Sequence, residues 1–281
     1  MYKRVFVDPP QHDSIAGTVD FPPLWNQKAR AGMRMHWDGN TDVLIERNVV
    51  SALSIVGRRI DYLDFPRLVR VTDWIEGLLP PRYEDRAPAG LRGKDPTGQD
   101  LPPVDAALAL QGAGLFQEHC ARCHSAQGDR IGRVEPIGDL KTDAERIAEF
   151  TPQLADALNK LGTDQWQLRH FRVQNGYVNN LLDGVWLRAP YLHNGSVPTL
   201  RDLLNKPEQR PVRFCRGSEL YDWVNLGFVS ATTPRAQGGG DCPTSYLYDT
   251  TVRGNSNAGH FYGTELPDPA KAALLEFMKT L

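Results

Sequence analysis

The chain has no methionine between Met35 and Met278, no run of about 18 apolar residues, and only four cysteines in 281 residues. Without an apolar run of bilayer length, no membrane span is expected. The opening MYKRVFVDPP lacks the apolar segment of a secretory signal. The net charge is −2 and its contributing residues are intermixed, leaving no basic stripe to track a phosphate backbone. Nucleic acid is therefore set aside as a partner. With 41% hydrophobic residues, the length supports one large domain or two small ones.

Residues 1–40 are rich in proline, glycine and aromatics without a sustained period, which predicts extended chain and turns. TDVLIERNVVSALSIVG then places Val43, Leu44, Val50, Leu53 and Val56 at helical spacing, with Thr41 as a cap and Gly57 past the end. A second helix is expected in DFPRLVRVTDWIEGLLPP, capped by Asp64 and stopped by Pro80-Pro81. Residues 80–104 hold six prolines and three glycines and predict a linker between an N-terminal segment, 1–79, and a domain, 105–281. Asp105 opens the next helix. Thr142 and Glu145 form a capping-box pattern, and Thr151-Pro152 starts a short helix expected to end at Gly162. Residues 163–198 and 205–262, with the glycine-rich AQGGGD at 236–241, are expected to be irregular, before a terminal helix in DPAKAALLEFMKTL.

Cys120-Ala-Arg-Cys123-His124 has the spacing for covalent haem attachment: two cysteines one helical turn apart reach the vinyl groups, and the adjacent histidine is turned to the iron. A zinc knuckle would need a second cysteine pair at ligand spacing, and a thioredoxin-like site a βαβ setting. Neither is present. Such attachment is normally made outside the cytoplasm, so a periplasmic or secreted location and a leader upstream of Met1 are expected. In that compartment Cys215 and Cys242 are most simply a disulfide, the alternative being two buried thiols. Gly112 and Phe116 share a helical face with Cys120, so the terminal helix, through Leu274, Leu275 and Phe277, is expected to cross there, an arrangement that resembles class I cytochromes c.

The far face of the iron takes a lone pair or stays open. Met278 sits in the terminal helix, where core packing is its expected role, so the candidates are His260, in the turn-rich RGNSNAGHFYGTEL, and His193, in LRAPYLHNGS. Each is weighed against an ordinary hydrogen-bonded histidine. Two imidazoles would give a six-coordinate iron that relays electrons. An open face would allow oxygen or peroxide chemistry.

VWLRAPYLHNGSVPTLRDLLN, 185–205, with RPVRFCRGSELYD after it, resembles a motif of dihaem c-type proteins around the bacterial dihaem cytochrome c peroxidases and, more closely, the rubber-oxygenase-like family. DFPPLWNQKARAGMRMHWDGNTDVLIERN, 20–48, is similar to the segment between the two haem motifs of those oxygenase-like proteins, and AGHFYGTEL to their closing segment. The resemblance implies the second half of such a protein, with His124 as proximal ligand and His260 as its distal match. Those relatives carry two CxxCH motifs and this chain has one, which puts oxygenase catalysis in doubt. In this light Arg188, Tyr191 and Trp186 are candidates to hold haem propionates or wall the pocket, with core filling an equal reading of Trp186. Trp25, His36 and Trp37 are placed near a possible neighbouring haem, or in the core. Asn194-Gly-Ser196 has the form of a glycosylation sequon but is expected to be a turn.

The expectation is a mainly α protein: a helical N-terminal segment before a cytochrome c-like domain with long irregular loops. It carries one covalent haem c and transfers electrons through a bis-His iron to a redox partner protein. The alternative is a peroxidase-like or oxygenase-like enzyme whose catalytic haem is this one with an open face, or one on another haem-bearing chain or domain.

Overall fold

The computed structural model describes residues 19–55, 62–85, 103–218, 220–230, 242 and 246–281. The expected helix end at Val56 and Gly57, the stretch 1–18, most of the expected linker and the glycine-rich 236–241 lie outside the described residues.

The helices are α1 (Leu44–Ile55), α2 (Phe65–Glu76), α3 (Ala106–His119), α4 (Ala121–His124), α5 (Ile137–Leu140), α6 (Glu145–Glu149), α7 (Pro152–Leu158), α8 (Leu200–Leu203) and α9 (Asp268–Met278). Asp64 caps α2 by accepting from the Arg67 amide, Asp105 caps α3 through Leu108, and Thr151 caps α7 through Leu154. Several expected ends differ: α1 begins at Leu44, three residues past the expected Thr41 cap, and α2 ends at Glu76, short of Pro80. Asp143, not Thr142, accepts from the Glu145 amide, because Thr142 Oγ1 is buried without a partner. Helix α7 stops at Leu158, and its last turn is closed by the Asn159 side chain bonding both the amide and the carbonyl of Phe171.

The fold is not mainly α. Helix makes up 38% of the described residues and strand 11%, and five of the α-helices named above are a turn or two long. Strands β1 (Val134–Pro136) and β2 (Gly176–Val178) pair antiparallel, as do β3 (Arg213–Arg216) with β6 (Tyr246–Asp249) and β4 (Tyr221–Asp222) with β5 (Gly227–Phe228). Aperiodic stretches of the sequence thus find backbone partners distant in the chain, a pairing that no local period announces. Cys215 of β3 is disulfide-bonded to Cys242, 27 residues on.

Two cores form. One gathers Phe116, Ala121, Trp186, Tyr191, Leu274, Leu275 and Met278 around the α3–α9 crossing. The other joins Val49 and Leu53 of α1 to Phe150, Leu158, Trp166, Leu168 and Phe171. The N-terminal stretch is tied to the rest by Glu46, which accepts from the Arg169 and His170 amides, and by Arg30, which pairs with Asp183 at 3.0 Å. At the crossing Gly112 is required: a Cβ there would overlap the Ala273 carbonyl and the Phe277 Cβ. Among the described residues, no helix is long and apolar enough to cross a membrane.

Candidate haem-binding site

Helix α3 ends at Cys120, and the single turn of α4 carries Cys123 and His124 directly after it. The two thiols are unbonded, and burial pushes the Cys120 thiol up to about 12 and Cys123 in the same direction. A redox-active pair or a thiolate ligand needs the opposite shift. Among the described residues there is no further cluster of His, Cys, Asp and Glu that could make this a zinc site.

His124 is half-buried, and its Nδ1 lies 2.7 Å from the Asn180 carbonyl oxygen. A carbonyl only accepts, so Nδ1 must carry the proton and Nε2 keeps its lone pair free. Burial lowers the pKa of His124, against the raising effect of that hydrogen bond. Strand β2 and the residues after it hold Asn180 in place: the Asn179 side chain bonds the Arg130 carbonyl and Glu135, and Arg30 and Arg188 both donate to the Leu181 carbonyl.

Facing His124 stands His260, their ring centroids 6.4 Å apart and their planes at 41°. Two imidazole nitrogens bound to one metal at about 2.0–2.1 Å each put the ring centroids roughly 6.3 Å apart. The pair therefore has the spacing for one metal ion between the rings. His260 Nδ1 is buried without a hydrogen-bond partner, and burial, then His124, then Arg210 lower the ring's pKa to about 3. A neutral imidazole in that setting is a ligand in waiting.

His260 adopts a left-handed backbone, φ +52°, directly after Gly259 at +77°. A Cβ at Gly259 would collide with the backbone of Leu140 and Lys141, and the His260 amide donates to the Leu140 carbonyl at 3.0 Å. Arg210 fixes the same turn from the other side. Its guanidinium donates to the carbonyls of Leu203, Asn205, Asn257, Gly259 and His260. Burial holds its pKa down, to about 10.

The remaining candidates fall elsewhere. His193 is buried with its ring stacked on Tyr177 at 4.0 Å and Nε2 2.9 Å from the Tyr177 hydroxyl. The Tyr191 hydroxyl lies 3.0 Å from the carbonyl oxygens of both Val185 and Leu226, and Trp186 meets the Tyr83 ring edge-on at 5.2 Å. Both are members of the first core, and Trp186 Nε1 is buried without a partner. Arg188 is half-buried, lowered to about 10 by desolvation and by Arg30, and close enough to act on His124. Trp25 Nε1 donates to the Asp183 carbonyl and Trp37 Nε1 to that of Asp20, while His36 Nδ1 is 2.7 Å from Asn40 Oδ1. Asn194 is fully buried and donates to the Gly254 and Ser256 carbonyls. Asn180 and Arg210 were missed by sequence reasoning. One acts through a backbone carbonyl and the other binds carbonyls far along the chain, so neither leaves a motif.

Residues 176–215 match the family model for the RoxA-like, cytochrome c-like domain. The match supports a haem c cytochrome-related role. At the level of whole proteins, the chain is 31% identical over 277 residues to the uncharacterised protein y4iM of Sinorhizobium fredii strain NGR234, a match covering 89% of this chain. It is 29% identical over 270 residues to y4iJ of the same strain, covering 73% of this chain. The chain spans 59% of the length of the first and 42% of the second.

Proposed function

We propose that the chain is a c-type cytochrome with one haem c bound through Cys120 and Cys123, ligated by His124 and His260, that passes electrons to a redox partner protein in the periplasm or outside the cell. The observation that carries this reading is the 6.4 Å spacing of two half-buried imidazoles, one already oriented through its Nδ1. The Cys215–Cys242 disulfide supports the oxidising compartment. When bound, the haem supplies a one-electron couple. The chain's own residues orient and insulate: Asn180 aims His124 and raises its basicity, Arg210 holds the His260 turn, and burial keeps both rings neutral. With two imidazoles and no thioether, the reduction potential falls below that of a Met/His site.

The visible spectrum of both redox states tests this. A low-spin iron is expected, unchanged by carbon monoxide, and His260→Ala turns it high-spin. A high-spin ferric band in the unaltered protein, or an H260A spectrum identical to it, would sink the proposal. A second reading, a peroxidase-like or oxygenase-like enzyme with its catalytic haem on another chain or domain or here with an open face, is favoured by the RoxA-like match and the greater length of y4iM. Spectral change on adding peroxide would favour it.

A further inference from the structure

Behind the proximal histidine lies a small cleft whose walls are cationic. Arg30, Arg34, Arg47 and Gln27 line it together with His36 and Asn180, the residue whose carbonyl faces His124. Gln27 is 3% exposed, yet both atoms of its amide are buried without a hydrogen-bond partner. Arg30 Nε is likewise buried and unbonded among the described residues, whereas Arg34 Nη1 makes no hydrogen bond but lies 3.7 Å from Asp42 Oδ2. Gln27 Nε2 and Arg30 Nε are donors, and leaving them unmatched costs about 1–3 kcal/mol each, so a fold that keeps them holds something that accepts their protons.

Charge agrees with this. Asp183 neutralises Arg30, and Asp42 is shared between Arg34 and Arg172. Arg47 is 6% exposed and bonds Asn48, with no carboxylate at ion-pair distance among the described residues. His36 is held neutral by burial and adds no charge near pH 7. The cleft is thus short of negative charge.

Its size narrows the ligand. The free volume is about 20 Å³, and on the same measure one water needs roughly 10–15 Å³. That suits the two oxygens of one carboxylate head.

We infer that Gln27, Arg30, Arg34 and Arg47 form a carboxylate-binding pocket, filled by a haem propionate or by the head of a small organic acid, that sets the charge behind His124. The inference rests on the haem reading above. Planar guanidinium donors suit a carboxylate, and Gln27 Nε2 supplies a neutral donor beside them.

The test uses the holoprotein with Arg47→Gln and Gln27→Leu, and Arg47→Lys as the variant that keeps the charge. The haem midpoint potential is followed from pH 5 to 8 with and without sodium acetate, alongside the visible spectrum and circular dichroism. If a propionate fills the pocket, acetate leaves the unaltered protein unmoved. In R47Q and Q27L the proton-linked step in the potential then rises by at least one pH unit, with R47K closer to the original. If a free acid fills it, acetate shifts the potential saturably, and its apparent affinity falls at least tenfold in R47Q. Variants whose pH profiles superimpose on the original, with no saturable acetate effect, overturn the pocket. Should R47Q fail to fold, Arg34→Gln, at a more exposed side chain, carries the same comparison. An unaltered protein without a low-spin haem c spectrum overturns the haem reading instead.

Discussion

Arg210 spends every N–H of its guanidinium on backbone carbonyls, and two of them belong to Gly259 and His260. The left-handed turn at those two residues is unfavourable for a histidine, so something must hold it, and this fork does. Replacing Arg210 by Met leaves five carbonyls unmatched. We expect a loss of about 3 kcal/mol or more in urea unfolding and a fraction of high-spin iron in the visible spectrum. Arg210→Lys should recover less than half of the stability, because a compact ammonium with three donors cannot span the same carbonyls. A fully stable, low-spin R210M protein would remove Arg210 from the support of His260. At this scale the sequence announces the CxxCH spacing on which the proposed haem attachment rests, and little else. Cys120, Cys123 and His124 are legible from spacing, whereas Arg210 is an ordinary loop arginine until the fold brings residues 203–205 and 257–260 around it.

Among elements, the α3–α9 crossing positions the haem motif, since α3 runs directly into Cys120. Its close approach depends on the missing side chain at Gly112, where a Cβ would meet backbone of Ala273 and the Cβ of Phe277. Backbone cannot step aside as a flexible side chain can. Gly112→Ala should therefore cost about 2–4 kcal/mol, read as a lower Tm by circular dichroism, while Gly114→Ala, with open space around it, should be neutral or slightly stabilising. Equal effects of the two substitutions would refute the crossing. Helix α3 was legible because a cap, an apolar face and a small residue all agreed locally, and α9 from its apolar face and the Pro269 in its first turn. The Thr142 cap was not, because the neighbouring Asp143 offers a better acceptor to the same amide. Nor were the six strands, whose short runs carry no period and pair across as many as 44 residues, as Val134 does with Val178.

Over the whole molecule, buried neutral imidazoles govern the response to acid. Burial lowers His193 to about 3 from an ordinary 6.5, with Arg146 adding to the shift, and the Tyr177 hydroxyl is its neighbour. Between those values the unfolded chain binds a proton that the folded chain refuses. The stability tied to His193 is complete above pH 6.5 and is lost as the pH falls towards 3. His193→Gln, which does not titrate, should flatten the decline of Tm between pH 6.5 and 4. An unchanged slope would take His193 out of the acid response. A histidine read from sequence as a possible ligand is thus a structural one whose ring lies on Tyr177, while His260 is the one that faces His124.

By itself the sequence determined the CxxCH spacing and the capped helices, because each rests on residues within one or two helical turns of each other, and it left Cys215 and Cys242 as the cysteines to pair by elimination. Only the tertiary structure decided that the fold is mixed rather than mainly α, which histidine stands opposite His124, and that four side chains of the N-terminal stretch converge behind it. Those are contacts between residues tens to more than a hundred positions apart, and they form because burying unmatched polar groups is costly enough to select one arrangement of the loops.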